Sequence, residues 1–218
     1  YIRILDELKP KCFIAENVAG LTVGTAKGYL NEILRLLRAC HYHVEARVLD
    51  AKWLGVPQTR NRLIIVGIHE SLYKPEMQGK LHPKPINKIV TLGEAFEGLC
   101  FTEADRIETD ISRFSTYALL KTVKPGNAHE KRFSLQKGNN LGVSQCITAS
   151  SSCLSAYAPR HWDNRAYTVA ETKRIMSIPD DYILTGDYSK QVERLGRMVP
   201  PLMMKAVAEN LYNLVLSK

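Results

Sequence analysis

Apolar residues recur along this chain in two rhythms, and the change between them divides it. Over residues 1–70 the rhythm is regular. Tyr1, Ile2, Leu5 and Leu8 fall at helical spacing, and Pro10 ends the helix that they predict. Residues 12–15 form a short continuous apolar run, the pattern of a buried parallel strand. Leu30, Ile33, Leu34, Leu37 and Cys40 make the apolar stripe of an amphipathic helix, with Lys27, Glu32, Arg35 and Arg38 on its other face. Residues 44–49 alternate and residues 63–68 run apolar, which predicts two further strands. Helix, strand, helix, strand, strand is the second half of a mixed or doubly wound α/β sheet.

Beyond residue 70 the regularity breaks. Pro75, Pro83, Pro85, Pro125, Gly126 and Gly138 punctuate short segments, and 137–142 and 150–152 read as loops. The expectation for 71–160 is a smaller, irregular, partly β domain. Order then returns. Thr168 and Glu171 form a capping box that opens a helix running to about Ser177, with Pro179 beyond it. Residues 189–195 predict a short helix closed by Gly196. Pro201 stands at a favourable first-turn position, ahead of the apolar stripe Leu202, Ala206, Val207, Leu211, Leu214 and Val215. Three parts are therefore expected: 1–70, 71–160, and a C-terminal part, 161–218, that returns to the first.

Composition adds three constraints. An apolar fraction of 45% suits a folded core. A formal net charge of +8 favours a polyanionic partner. Five cysteines without a C-x-x-C pair argue against a disulfide scaffold or zinc ribbon, and Cys12 and Cys40 fall in core patterns. No metal is expected, and no apolar stretch approaches a membrane span or a signal peptide. The chain opens at Tyr1, partway through a helix, so we expect a piece of a longer or split protein.

The candidate chemistry sits at strand ends. The apolar run 13–15 meets Glu16 and Asn17, and Gln58, Arg60 and Arg62 immediately precede the run 63–68. A carboxyl group and two guanidiniums at one sheet edge suit a polar ring next to phosphate. Each residue also has a plain reading: Glu16 as a cap, Asn17 as a turn closer, the arginines as a solvated strand end. Arg60 and Arg62, two apart, share a face on an extended segment.

Glu-Asn-Val at 16–18 and Gln-x-Arg-x-Arg at 58–62 resemble two ordered motifs of DNA (cytosine-C5) methyltransferases. The run 167–182, ending in Pro-Asp-Asp-Tyr, resembles the family's late motif. Residues 196–200, Gly-Arg-Met-Val-Pro, resemble its closing motif, with Arg197 in place of asparagine. The resemblance implies the rear half of a Rossmann-like methyltransferase sheet plus a target-recognition domain over 71–160. By it, Glu16 contacts N3 and the amine of a cytosine flipped out of duplex DNA. Arg62 holds the O2 of that base, and Arg60 braces the catalytic loop or the phosphodiester. Arg197, Met198 and Val199 would lie against S-adenosylmethionine. Asn17, Gln58, Lys131, Arg132, Lys137 and Arg160 would face DNA, with Lys121 and Lys124 as further phosphate contacts. A cytoplasmic protein of bacterial or phage origin is implied, in DNA methylation or restriction-modification.

The family's early motifs are absent. The chain has no glycine-rich turn after a first strand and no Pro-Cys dipeptide. Cys100, Cys146 and Cys153 lack that context. The resemblance therefore implies a C-terminal portion, inactive without an N-terminal part, in the same or a separate chain, that carries the nucleophile and most of the cofactor site. The alternative is a DNA-binding or regulatory remnant of the same fold. A zinc deaminase, suggested by His43-Val-Glu45, would need a P-C-x-x-C partner that the chain lacks.

Overall fold

The computed structural model describes residues 1–151 and 158–217, so Ser152 and Cys153 lie outside it. The chain divides into two units. The first comprises Tyr1–Asp50, Asn61–Pro85 and Met204–Lys218; the second comprises Ala51–Arg60 and Ile86–Met203.

The first unit is built on a three-stranded sheet in the order β1-β3-β2, with β1 at Cys12–Val18, β2 at Tyr42–Asp50 and β3 at Asn61–His69. Both pairings are antiparallel. The expected parallel strand at 12–15 is thus corrected: an apolar run reports burial, not the direction of the neighbour. β1 also runs past Ala15, placing Glu16, Asn17 and Val18 opposite Ile64, Leu63 and Arg62 in the ladder. Central β3 is apolar on both faces, with Ile64, Val66 and Ile68 wholly buried.

One sheet face carries Phe13, Tyr42, Leu63 and Ile65. It packs against Leu5 of helix α1 (Ile2–Leu8) and Leu30 and Leu37 of α2 (Ala26–Ala39). Lys27, Glu32, Arg35 and Arg38 of α2 are exposed, as its periodicity predicts. Cys40 packs against this core. Phe13 lies directly across from Gly67, and a Cβ there would come within 2.1 Å of the Phe13 ring. The glycine makes room for an aromatic that also meets Tyr42 edge-on at 5.1 Å.

The second unit holds short helices: α3 (Leu92–Phe96), α4 (Glu103–Glu108), α5 (Tyr117–Thr122), α6 (Val169–Ile175) and α7 (Tyr188–Arg197). It also holds a hairpin of β4 (Ala128–His129) and β5 (Arg132–Gln136). Helix α8 (Pro201–Leu211) crosses the division, and its last turn widens into a π-helical turn at Tyr212–Leu216. The capping box at Thr168 and Glu171 forms as expected. Two more, Thr91 with Glu94 and Thr102 with Asp105, start α3 and α4 where the sequence reading placed only irregular chain. Gly196 does not close α7; it lies inside the helix. A Cβ at Gly196 would meet the Thr148 carbonyl oxygen at 2.1 Å, so its smallness serves packing against backbone.

Two cores fill this unit. One gathers Leu92, Ile147, Tyr167, Ile175, Met176, Ile178 and Leu195; the other gathers Ile111, Leu120, Leu135, Ala166, Tyr188 and Val192. Beside the first, Arg165 grips Glu171 through both guanidinium nitrogens at 2.8 and 2.6 Å. His161 is 4% exposed, and its Nδ1 accepts the Asp163 amide at 3.1 Å. Burial, and then the Arg165 charge, push its pKa from 6.5 down to about 3. Glu171 Oε1, 3.5 Å away, does not reverse this because that carboxylate is already committed to Arg165. A depressed folded-state pKa means that the unfolded chain takes up a proton first as pH falls. His161 therefore contributes stability that is complete above about 6.5 and is lost between there and about 3. Urea midpoints should fall across that window, and less steeply in His161→Gln; equal slopes would remove His161 as the cause.

Candidate active site

Two clusters emerge, one in each unit. In the first unit, Glu16 on β1 and Arg62 on β3 occupy the same sheet face, offset by two residues, since Arg62 stands opposite Val18. Arg62 Nε meets Glu16 Oε1 at 2.9 Å, with the side chains 17% and 27% exposed, so the pair is partly desolvated yet reachable. Arg62 Nη1 donates to the Asn61 carbonyl at 2.8 Å, which orients the guanidinium fork. Asn17 is exposed, and its Oδ1 accepts the Val18 amide at 2.8 Å. The arrangement presents an acceptor oxygen and donor N–H groups side by side. A planar heterocycle with a donor edge and a carbonyl could engage both.

In the second unit, Gln58 and Arg60 point inward. Gln58 is wholly buried; its amide donates to the Ile175 carbonyl at 3.3 Å, and its Oε1 accepts the Ile147 amide at 3.0 Å. Arg60, 2% exposed, donates to the carbonyls of Ile147, Gly196 and Met198 at 2.6, 3.0 and 2.9 Å. Cys146 Sγ is 3.4 Å from its Nη1. Two of the three carbonyls close α7, where the last peptide groups lack helical partners and the helix dipole favours a cation. Thr59 and Ser144 extend the clamp through Thr59 N to the Ser144 carbonyl at 2.8 Å.

The remaining sequence candidates scatter. Arg197 is exposed and bound to Glu193 at 2.7 Å, whereas Met198 and Val199 are half-buried. Lys137 and Arg160, expected at a DNA surface, are 6% and 3% exposed and bridge two chain segments. Burial lowers the Lys137 pKa. Lys131 and Arg132 are exposed, as a phosphate contact requires. His43 and Glu45 share one face of β2, and His43 stacks on Tyr73 at 3.7 Å. Among the described residues no group of three or more His, Cys, Asp or Glu could hold a metal ion, and no helix is long and apolar enough to cross a membrane. The role of Ile147 and Ser144 in the clamp had no sequence signal: both lie in a short polar stretch without period.

A family model described as C-5 cytosine-specific DNA methylase matches residues 1–213. The chain is 30% identical over 246 residues to the type II methyltransferase M.SacI of Streptomyces achromogenes, covering 97% of this chain and 62% of the relative. It is 25% identical over 231 residues to the type II methyltransferase M.NgoFVII of Neisseria gonorrhoeae, covering 97% and 61%. It thus spans about three fifths of the length of these relatives. Among solved structures, a prophage-encoded Escherichia coli protein described as a DNA modification methyltransferase aligns at TM-score 0.74 and 19% identity, over 100% of this chain and 73% of that one. The S. pombe Dnmt2 methyltransferase aligns at TM-score 0.63 and 15% identity, over 94% and 67%. Those two likenesses establish a mixed α/β methyltransferase fold.

Proposed function

The chain belongs to the C-5 cytosine-specific DNA methylase family, and from that premise we propose that it is the rear portion of an enzyme methylating C5 of a cytosine extruded from duplex DNA. The observation that carries this reading is the Glu16–Arg62 pair, 2.9 Å apart on one face of the β1–β3 ladder. Glu16 holds the N3 and amine edge of the base and protonates N3 as a thiolate adds at C6; Arg62 donates to O2. Draining electron density through N3 and O2 is what makes C6 electrophilic. The thiolate and most of the cofactor site come from an N-terminal part that completes the protein. The names of the relatives, both type II methyltransferases, support a role in restriction-modification.

S-adenosylmethionine, when bound, supplies the methyl group. Its fit here is tested by the segment 196–199. Met198 and Val199 are apolar and half-buried, suited to one flank of the donor, whereas Arg197 is committed to Glu193. Met198 and Val199 would therefore line the donor. Arg60 and Gln58 act behind them, as positioning residues that hold the backbone of this segment, and do not touch DNA. The first unit is then the rear of the catalytic sheet, and target recognition falls to the part of 71–160 that lies in the second unit, from Ile86 onward. Lys131 and Arg132, with Asn17 in the first unit, remain candidate DNA contacts.

The test is transfer of a labelled methyl group to duplex DNA. The complete protein should label C5 of cytosine, and this chain alone should label nothing. A complete protein that binds DNA without transfer would favour a non-catalytic remnant of the fold.

A further inference from the structure

The β4–β5 hairpin carries a feature that the catalytic reading does not use. Its register is irregular: His129 pairs with Arg132 and Ala128 with Gln136, so the stretch 133–135 has no cross-strand partner. On a regular strand Phe133 and Leu135 would share a face. Here Leu135 is 2% exposed, in the core with Ile111 and Leu120, while Phe133 is 76% exposed. The bulge turns one side chain inward and throws the other out. The backbone at Phe133 is held, since Gln136 Nε2 donates to its carbonyl at 3.0 Å. Lys131 and Arg132, both exposed, precede it directly. A groove of about 550 Å³ runs beside the hairpin, lined by Thr122, Lys124, Asn127, His129 and Glu130.

We propose that this hairpin is a wedge for duplex DNA: Phe133 enters the base stack at one step while Lys131 and Arg132 neutralise the flanking phosphates. A bare aromatic ring directly after two exposed cations complements a polyanion whose interior is a pile of flat apolar faces. A second copy of the same tip would instead meet like charge. Apolar side chains inserted between base steps unstack and kink a duplex, and ring–base stacking is tolerant of sequence. The inference rests on duplex DNA being the substrate, as proposed above. It adds a device that loosens the stack from the second unit, apart from the Glu16–Arg62 pair that receives the base.

The experiment uses the complete protein and the duplex site that it methylates, with 2-aminopurine placed at successive positions to report unstacking. Phe133→Ala should weaken binding roughly 5- to 100-fold, the range that one ring–base stack supplies, and abolish the fluorescence rise at a single step. Phe133→Trp should keep both. The dependence of affinity on salt should not change in Phe133→Ala, whereas Lys131→Ala should lower its slope by about one. Phe133 is too exposed for its loss to unfold the protein, and an unchanged urea midpoint would verify that. If wild type binds and unstacks DNA and Phe133→Ala does so equally, the wedge is wrong and the methyltransferase reading stands. If wild type binds no duplex, both fall.

Discussion

Glu16→Gln in the complete protein lowers methyl transfer by about 10²- to 10⁴-fold, the contribution of a positioned general acid, with DNA affinity nearly unchanged. The amide keeps the size of the carboxyl and can still bond the amine edge of a cytosine. It has no proton to give N3, and it leaves Arg62 Nε without the charged partner now 2.9 Å away. The loss should therefore appear in kcat, not in the KM for DNA. Arg62→Ala should fail differently. On the proposed function it would remove the donor to O2 and so the capture of an extruded base, while non-specific binding through exposed lysines should persist. Single-turnover transfer and binding assays on both variants separate the two roles. A Glu16→Gln protein with wild-type turnover would remove Glu16 from the chemistry and leave the pair as a structural bridge.

Arg60→Ala should cost about 3–5 kcal/mol of stability, the overlapping cost of leaving three buried acceptors without their charged donor. Three carbonyls, those of Ile147, Gly196 and Met198, lose their donor at once. Each buried acceptor left bare costs about 1–3 kcal/mol, and the costs overlap because the freed segments can relax together. Water cannot easily replace the guanidinium at a site only 2% exposed. Arg60→Lys should recover part of the loss, because one ammonium can reach one or two of the carbonyls but cannot match the planar fork. Urea denaturation checks the ranking wild type, Lys, Ala. An Ala variant within about 1 kcal/mol of wild type would mean that the clamp contributes little, on the scale of an ordinary surface change.

How much of this was legible before folding varied with the range of the interaction. The α2 stripe and the capping box at Thr168 and Glu171 formed as read, because each depends on residues three or four apart. The boxes that begin α3 and α4 were equally local, and proline and glycine nearby masked them. Glu16 and Arg62 were recognisable as a pair from their motifs, though their contact exists only because Val18 and Arg62 align in an antiparallel ladder. Arg60 shows the limit best. Two positions from Arg62 and alike in chemistry, it is buried on carbonyls 87, 136 and 138 residues away. Lys137 and Arg160 are likewise buried where charge alone suggested a surface.

By itself, then, the sequence determined helices α1, α2, α6, α7 and α8, the cap at Thr168, the apolar strands and a set of candidate side chains, since propensity, capping and periodicity act within a turn or two. Only the tertiary structure decided that β1 and β3 run antiparallel, that Arg60 clamps while Arg62 stays accessible, and that Phe133 turns out while Leu135 turns in. Strand direction and the burial of a cation depend on which distant backbone supplies the partner, and no local pattern carries that information.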